Sequence, residues 1–209
     1  MLEVPVYNMK GEKTRTLEID EALFGRHVNT ALLKQAVVAY HANRRQGTVA
    51  TRSRGMVAGS TRKLYRQKGT GNARRGAVRT NVMRGGGVAF AKQPREYRQK
   101  LPRQMRKAAL DSAILAKIQG NNLMVVEGLA IEKPSTKTMA GVLKNLQINR
   151  SCLLTIPQRD TSLFLSSRNI ADLTVRIAEE LNAFDVATRQ KMLVTVEAMT
   201  ALTTREEQA

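Results

Sequence analysis

Apolar and polar positions alternate near the start of the chain, in Val4-Pro5-Val6-Tyr7 and again in Thr14-Arg15-Thr16-Leu17-Glu18-Ile19. A period of two lets a strand bury one face, so both segments predict strands, with Lys10-Gly11 as the turn between them. The period then lengthens. Asn29 is a good N-cap, and behind it Leu32, Leu33, Ala36, Val37 and Tyr40 give a helix one apolar face, with Gly47 beyond its end. Helical spacing returns from Pro102, which suits a first helical position. Met105, Ala109, Ser112, Ala113 and Ala116 form one row with Leu110, Ile114 and Ile118 beside it, and Gly120 closes the helix. Leu123-Met124-Val125-Val126 and Cys152-Leu153-Leu154-Thr155-Ile156 are short continuous apolar runs, as expected of strands covered on both faces. Between them Met139, Val142, Leu143 and Leu146 make a helical stripe. Leu173 to Ile177 alternates and reads as a strand nearer an edge, and Met192 to Val196 reads as the last strand, followed by a short terminal helix.

Strands alternating with helices predict an α/β fold, a mostly parallel sheet with helices on both faces. Residues 1–46 and 102–209 would form this globular body. Residues 47–101 interrupt it. From Gly47 to Val88 neither period is present and large apolar residues are sparse, so the stretch cannot offset its ordering entropy by burial in water. It predicts a long extended internal loop, mobile by itself. A body of roughly 150 residues can still bury about 70% of its unfolded surface, and a loop drawn into two arms of about 27 residues could reach at most roughly 90 Å.

Charge sharpens this division. The chain has 209 residues with 35 Lys+Arg and 17 Asp+Glu, a net charge of +18. Between Arg44 and Lys107 lie 19 Lys+Arg and a single acid, Glu96, which leaves 16 basic and 16 acidic residues for everything else. The excess charge is therefore confined to one segment, which also holds nine of the 14 glycines. Such a segment favours a polyanion: RNA, duplex DNA or an acidic membrane surface.

Its densest part is Thr61-Arg62-Lys63-Leu64-Tyr65-Arg66-Gln67-Lys68-Gly69-Thr70-Gly71-Asn72-Ala73-Arg74-Arg75-Gly76. Lys and Arg neutralise phosphates and release counterions. Glycines allow backbone amides close to phosphate oxygens, and Arg planes or the Tyr65 ring can stack on unpaired bases. The bland alternative is a solvated loop with no specific partner. A Rossmann-like enzyme holding a nucleotide is a rival from another class. Gly69-Thr70-Gly71 resembles the opening of a dinucleotide loop, but Arg74 stands where the third glycine belongs. Gly71 to Gly76 has phosphate-loop spacing, yet Ala77 replaces the lysine. Arg84-Gly85-Gly86-Gly87-Val88-Ala89-Phe90 reads as a tight turn returning the chain to the body, or as a plain hinge. Leu101-Pro102-Arg103-Gln104-Met105-Arg106-Lys107 sets three cations at a helix start, where the helix dipole disfavours them unless an external anion compensates.

Other chemistry is thin. His27 and His41 have no cysteine or carboxylate partners at ligand spacing and read as cap or surface residues. Asp111, Glu127, Asp160 and Asp185 are scattered and read as surface charge. Cys152, the single cysteine, allows no intrachain disulfide and fits a reducing cytoplasm. Neither a secretory signal nor a membrane-spanning run is expected.

The motifs also resemble a known family, bacterial large-subunit ribosomal protein four. Its loop carries basic-Lys-Pro-Trp-Arg-Gln-Lys-Gly-Thr-Gly-Arg-Ala-Arg, then Trp-Arg-Gly-Gly-Gly and an aromatic. Here the pattern runs Arg62-Lys63-Leu64-Tyr65-Arg66-Gln67-Lys68-Gly69-Thr70-Gly71-Asn72-Ala73-Arg74, then Met83-Arg84-Gly85-Gly86-Gly87 and Phe90. Val37-Val38-Ala39-Tyr40, Arg45-Gln46-Gly47-Thr48, Lys100-Leu101-Pro102 and Leu163-Phe164-Leu165-Ser166-Ser167-Arg168-Asn169 extend the agreement along nearly the whole chain. Tyr65 and Met83 stand in place of the family's tryptophans, Leu64 of its proline and Asn72 of an arginine, which weakens stacking and one phosphate contact.

The resemblance implies a doubly covered α/β body on the outer side of the ribosome. It implies a loop threading inward to line the narrow part of the nascent-peptide exit tunnel, early binding to large-subunit rRNA, and a part in subunit assembly. Arg66, Gln67, Lys68, Gly69, Thr70 and Gly71 map to the tunnel-proximal tip. Together with the charge pattern it marks as rRNA-binding Arg44, Arg45, Arg52, Arg54, Arg62, Lys63, Tyr65, Arg66, Gln67, Lys68, Gly69, Thr70, Gly71, Arg74, Arg75, Arg79, Arg84, Gly85, Gly86, Gly87, Lys92, Arg95, Arg98, Lys100 and Arg103. The expected partners are large-subunit rRNA, neighbouring large-subunit ribosomal proteins and the nascent peptide. No cofactor, metal, membrane or small-molecule substrate is expected, and the protein would be a cytoplasmic, ribosome-bound structural constituent rather than an enzyme.

Overall fold

A computed structural model describes residues 2–25 and 27–207, without the side chains of 205–207. The chain forms two compact units, one made of the residues up to His41 with those from Lys100 onward, the other of Ala42–Gln99.

In the first unit the two alternating segments are β1 (Leu2–Tyr7) and β2 (Lys13–Ile19), an antiparallel hairpin from Leu2 opposite Ile19 to Tyr7 opposite Lys13. A single 3-10 turn, Glu21–Phe24, leads to α1 (Thr30–Asn43). After the second unit the order is α2 (Arg103–Gln119), β3 (Leu123–Val126), α3 (Thr136–Asn145), β4 (Cys152–Ile156), α4 (Thr161–Ser167), β5 (Leu173–Ile177), α5 (Ala183–Thr188), β6 (Lys191–Thr195) and α6 (Val196–Glu207). One six-stranded sheet has the order β2-β1-β3-β6-β4-β5. Only the β1–β2 pair is antiparallel.

Consecutive sheet residues fall into two different cores. Val125, Leu153, Met192 and Val194 join Ala109, Ala113 and Ile114 of α2 and Ala198, Met199 and Leu202 of α6. Val126, Cys152, Leu154, Ile156 and Leu193 join Met139, Val142 and Leu143 of α3 and Leu163 of α4. That alternation is what a pleated sheet covered on both faces requires. β4 is buried at every position, as its unbroken apolar run predicts, and β5 lies at the edge.

The helix starts have local causes. Asn29 Oδ1 accepts from the Leu32 amide at 3.0 Å, Ser135 Oγ from Thr138 at 3.3 Å, Asp160 Oδ1 from Ser162 at 2.8 Å and Asn182 Oδ1 from Asp185 at 2.9 Å. Each satisfies an amide with no intrahelical acceptor, worth about 1 kcal/mol. Three details differ from the sequence reading. α4, α5 and the 3-10 turn were not anticipated. Pro102 is the cap before α2 rather than its first residue, with extended backbone (ψ 149°). The last strand stops at Thr195, and Val196 already opens α6 without a connecting loop.

Candidate nucleic-acid interface

The unit Ala42–Gln99 contains no strand and, past Asn43, no helix. Gly87 is its only buried residue, so it has no apolar core. Several apolar side chains stand in solvent instead: Phe90 is 96% exposed, Val82 79% and Met56 64%.

Hydrogen bonds between its two arms hold it together. Where the chain enters and leaves, Asn43 and Gln99 bond reciprocally: Asn43 Nδ2 donates to the Gln99 carbonyl at 3.1 Å and the Gln99 amide donates to Asn43 Oδ1 at 2.7 Å. Next the Arg95 amide donates to the Gly47 carbonyl at 3.1 Å. The Thr51 amide donates to the Lys92 carbonyl and the Val88 amide to the Arg52 carbonyl, both at 2.9 Å. In the middle of the segment the Leu64 amide donates to the Gly76 carbonyl at 3.1 Å, and the Tyr65 hydroxyl donates to the Ala73 carbonyl. The Arg84–Gly87 run does turn, with the Gly86 amide on the Met83 carbonyl at 2.9 Å. It then packs against this unit's own backbone: a Cβ on Gly87 would lie 2.3 Å from the Arg54 nitrogen. Only glycine permits that approach.

Fifteen Lys+Arg and one acid, Glu96, lie in these residues, a net of +14. All of the cations are exposed except Arg79, which is half-buried. Arg44, Arg45, Arg95 and Arg98 gather near the Asn43–Gln99 pair in sequence, and Arg52, Arg54 and Lys92 occupy the paired arms. Arg62, Lys63, Tyr65, Arg66, Gln67, Lys68, Gly69, Thr70, Gly71, Arg74 and Arg75 form the middle turn region. There Lys63 Nζ donates to Gln67 Oε1 at 2.8 Å and to the Arg75 carbonyl at 3.1 Å, and Arg66 donates to the Gly69 carbonyl at 3.1 Å. Gly69 and Gly71 both have positive φ, 77° and 67°. Lys100 and Arg103 belong to the first unit, Arg103 opening α2.

Tyr97 escaped the sequence reading. Arg45 Cζ lies 3.7 Å from its ring centroid and Arg95 Cζ 4.5 Å. A hydrogen bond from Arg95, with the charges of Arg45, Arg95 and Lys92, holds its phenol below the usual range against a smaller opposing effect of desolvation. The only available signal was an aromatic residue inside a cationic run.

The first unit has a cavity of about 670 Å³ at the carboxyl ends of β3, β4 and β6, where doubly wound enzymes hold ligands. Two of its polar lining residues are engaged in the fold: Asp160 caps α4, and Glu127 pairs with Arg15 at 3.2 Å. Gly69-Thr70-Gly71 lies in the other unit and follows no strand, so it does not form a dinucleotide loop. Among the described residues no group of three His, Cys, Asp or Glu could hold a metal, and no helix is long and apolar enough to cross a membrane.

Residues 17–205 match the model of the Ribosomal protein L4/L1 family. The large ribosomal subunit protein uL4 of Symbiobacterium thermophilum is 41% identical over 199 residues, covering 95% of this chain and 96% of that protein. The uL4 of Dehalococcoides mccartyi is 42% identical over 198 residues, 95% of this chain and 94% of its own. That of Carboxydothermus hydrogenoformans is 41% identical over 199 residues, 95% and 97%. These relatives are ribosomal proteins and not enzymes, and the chain, matched almost end to end, belongs to the Ribosomal protein L4/L1 family as a protein of the large ribosomal subunit.

Proposed function

We propose that the chain binds large-subunit rRNA through the cationic unit, that this binding supports subunit assembly, and that Arg66, Gln67, Lys68, Gly69, Thr70 and Gly71 lie beside the nascent-peptide exit tunnel. The observation that carries the reading is a separation: a net charge of +14 sits on a unit with no buried apolar side chain. Lys and Arg on such a surface gain most by displacing counterions from phosphates. Its exposed Phe90, Val82 and Met56 offer apolar faces to splayed bases. Arg103 and Arg106 add cations to the first turn of α2, which has no acidic residue. The helix dipole disfavours them there by about 0.3–1 kcal/mol each, and a phosphate relieves that cost. The first unit, with 20 Lys+Arg against 16 Asp+Glu, is left to anchor the protein on the ribosome in the cytoplasm, next to neighbouring proteins.

Excision of Ala50–Arg98 tests the reading. Both cores lie outside the excised residues, so the shortened chain keeps a cooperative thermal transition. It is expected to lose retention on large subunits through a high-salt wash that the full chain survives. Equal retention of the two would overturn rRNA binding by this unit.

A further inference from the structure

Two guanidiniums lie against the Tyr97 ring, on arms that hydrogen bonds draw together. The Asn43–Gln99 pair closes the two arms on one side, and the Arg95 amide bonds the Gly47 carbonyl on the other. Gly47 has φ +73°, and a Cβ there would meet the Arg95 carbonyl oxygen at 2.0 Å, so this approach of the arms requires glycine. Beside this brace is a recess of about 330 Å³ lined by Asn43, Arg45, Gln46, Glu96, Tyr97 and Arg98.

We propose that this recess takes a single unpaired ribonucleotide, its base laid against the Arg45–Tyr97 stack, its edge met by Gln46 and Glu96, and its phosphate held by Arg98. The proposal rests on the rRNA-binding reading and deepens it by naming the element of the RNA that docks here. The volume is at the small end of the range for ligand pockets, roughly 300–1,000 Å³, which suits one nucleotide and excludes a helix. Splayed-out bases are recognised by stacking on aromatic rings and guanidinium planes, and the recess supplies both in one stack. Glu96 then has a reason to be present. The sole acid among fifteen cations, it can accept from an exocyclic amine, as carboxylates do from the cytosine amino group. A carboxylate at the base edge favours a base that carries an amine over uracil.

The test uses the full chain bound to large-subunit rRNA, cross-linked by ultraviolet light, digested with nuclease and mapped by mass spectrometry. A mononucleotide adduct is expected on residues 43–46 or 96–98. Tyr97→Leu is expected to remove that adduct and weaken binding about tenfold, the size of one lost base–aromatic stack, while Tyr97→Phe keeps both. Tyr97 belongs to neither core, so the thermal transition of both variants serves as the folding control. Adducts found only elsewhere, or Tyr97→Leu binding within twofold of wild type, overturn the recess and leave rRNA binding standing. Weakened binding with the adduct intact marks Tyr97 as a brace only and also overturns it. A wild-type chain that fails to bind large-subunit rRNA overturns both readings.

Discussion

Cys152 shows what the sheet does to a reactive atom. It is 2% exposed in β4, and burial pushes its thiol up to about 12, against smaller opposing effects of a backbone hydrogen bond at Leu193 and the charge of Arg189. Below its ordinary value of 9.0 the thiol is neutral folded or unfolded, so pH has no leverage through it. Between about 9 and about 12 the unfolded chain ionises first, and stability is lost as pH rises through that window. A thiol reagent at pH 8 is expected to leave the native protein unlabelled and to label one cysteine per chain in denaturant; rapid native labelling would refute the burial argument. The residue type alone excluded an intrachain disulfide and fitted a reducing cytoplasm, but was silent on reactivity. Its inertness comes from neighbours on β6 and α3 that the sequence places far away.

At the scale of elements, Asp160→Ala measures how much α4 owes to its cap. Asp160 accepts from the amides of Ser162 at 2.8 Å and Leu163 at 3.3 Å. Its loss should cost about 1 kcal/mol and lower the melting temperature by about 2–4 °C for a chain of this length, with Asp160→Asn close to wild type. A change of less than half a degree would mean the cap is idle. The strands and helices α1, α2 and α3 were legible because their apolar rows run several turns or fill a whole strand. α4 was not. It has seven residues, and two of its buried positions are Ser166 and Ser167, whose hydroxyls donate back to the Ser162 and Leu163 carbonyls at 2.7 Å. Polar residues that satisfy themselves inside a helix erase the period by which a buried face is read. The pairing of the two arms of the cationic unit was hidden for a related reason: backbone bonds such as Thr51 to Lys92 leave no side-chain pattern.

Across the whole molecule the charge is lopsided, and binding to RNA should report it. The logarithm of affinity falls with the logarithm of salt concentration by roughly 0.7–0.9 per neutralised phosphate. Changing Arg62, Lys63, Arg66 and Lys68 together to Gln should therefore flatten the slope by about 3, measured by titrating rRNA binding against potassium chloride. An unchanged slope would place those side chains away from phosphate. The cations were legible as a candidate site because they crowd into one stretch of the chain. The Tyr97 recess was not, since it joins residues about fifty positions apart through a backbone crossing that no local pattern encodes. One property of the sheet bears on how the protein comes into being. β6, the strand that separates β3 from β4, comes last of the six in chain order. A growing polypeptide halted before Lys191 holds two half-sheets with no strand in common, so the sheet cannot close until β6 has been made. The cationic segment, by contrast, leaves the synthesising ribosome about a hundred residues sooner. On the rRNA-binding reading proposed above, RNA can thus meet its ligand before the globule that will carry it exists.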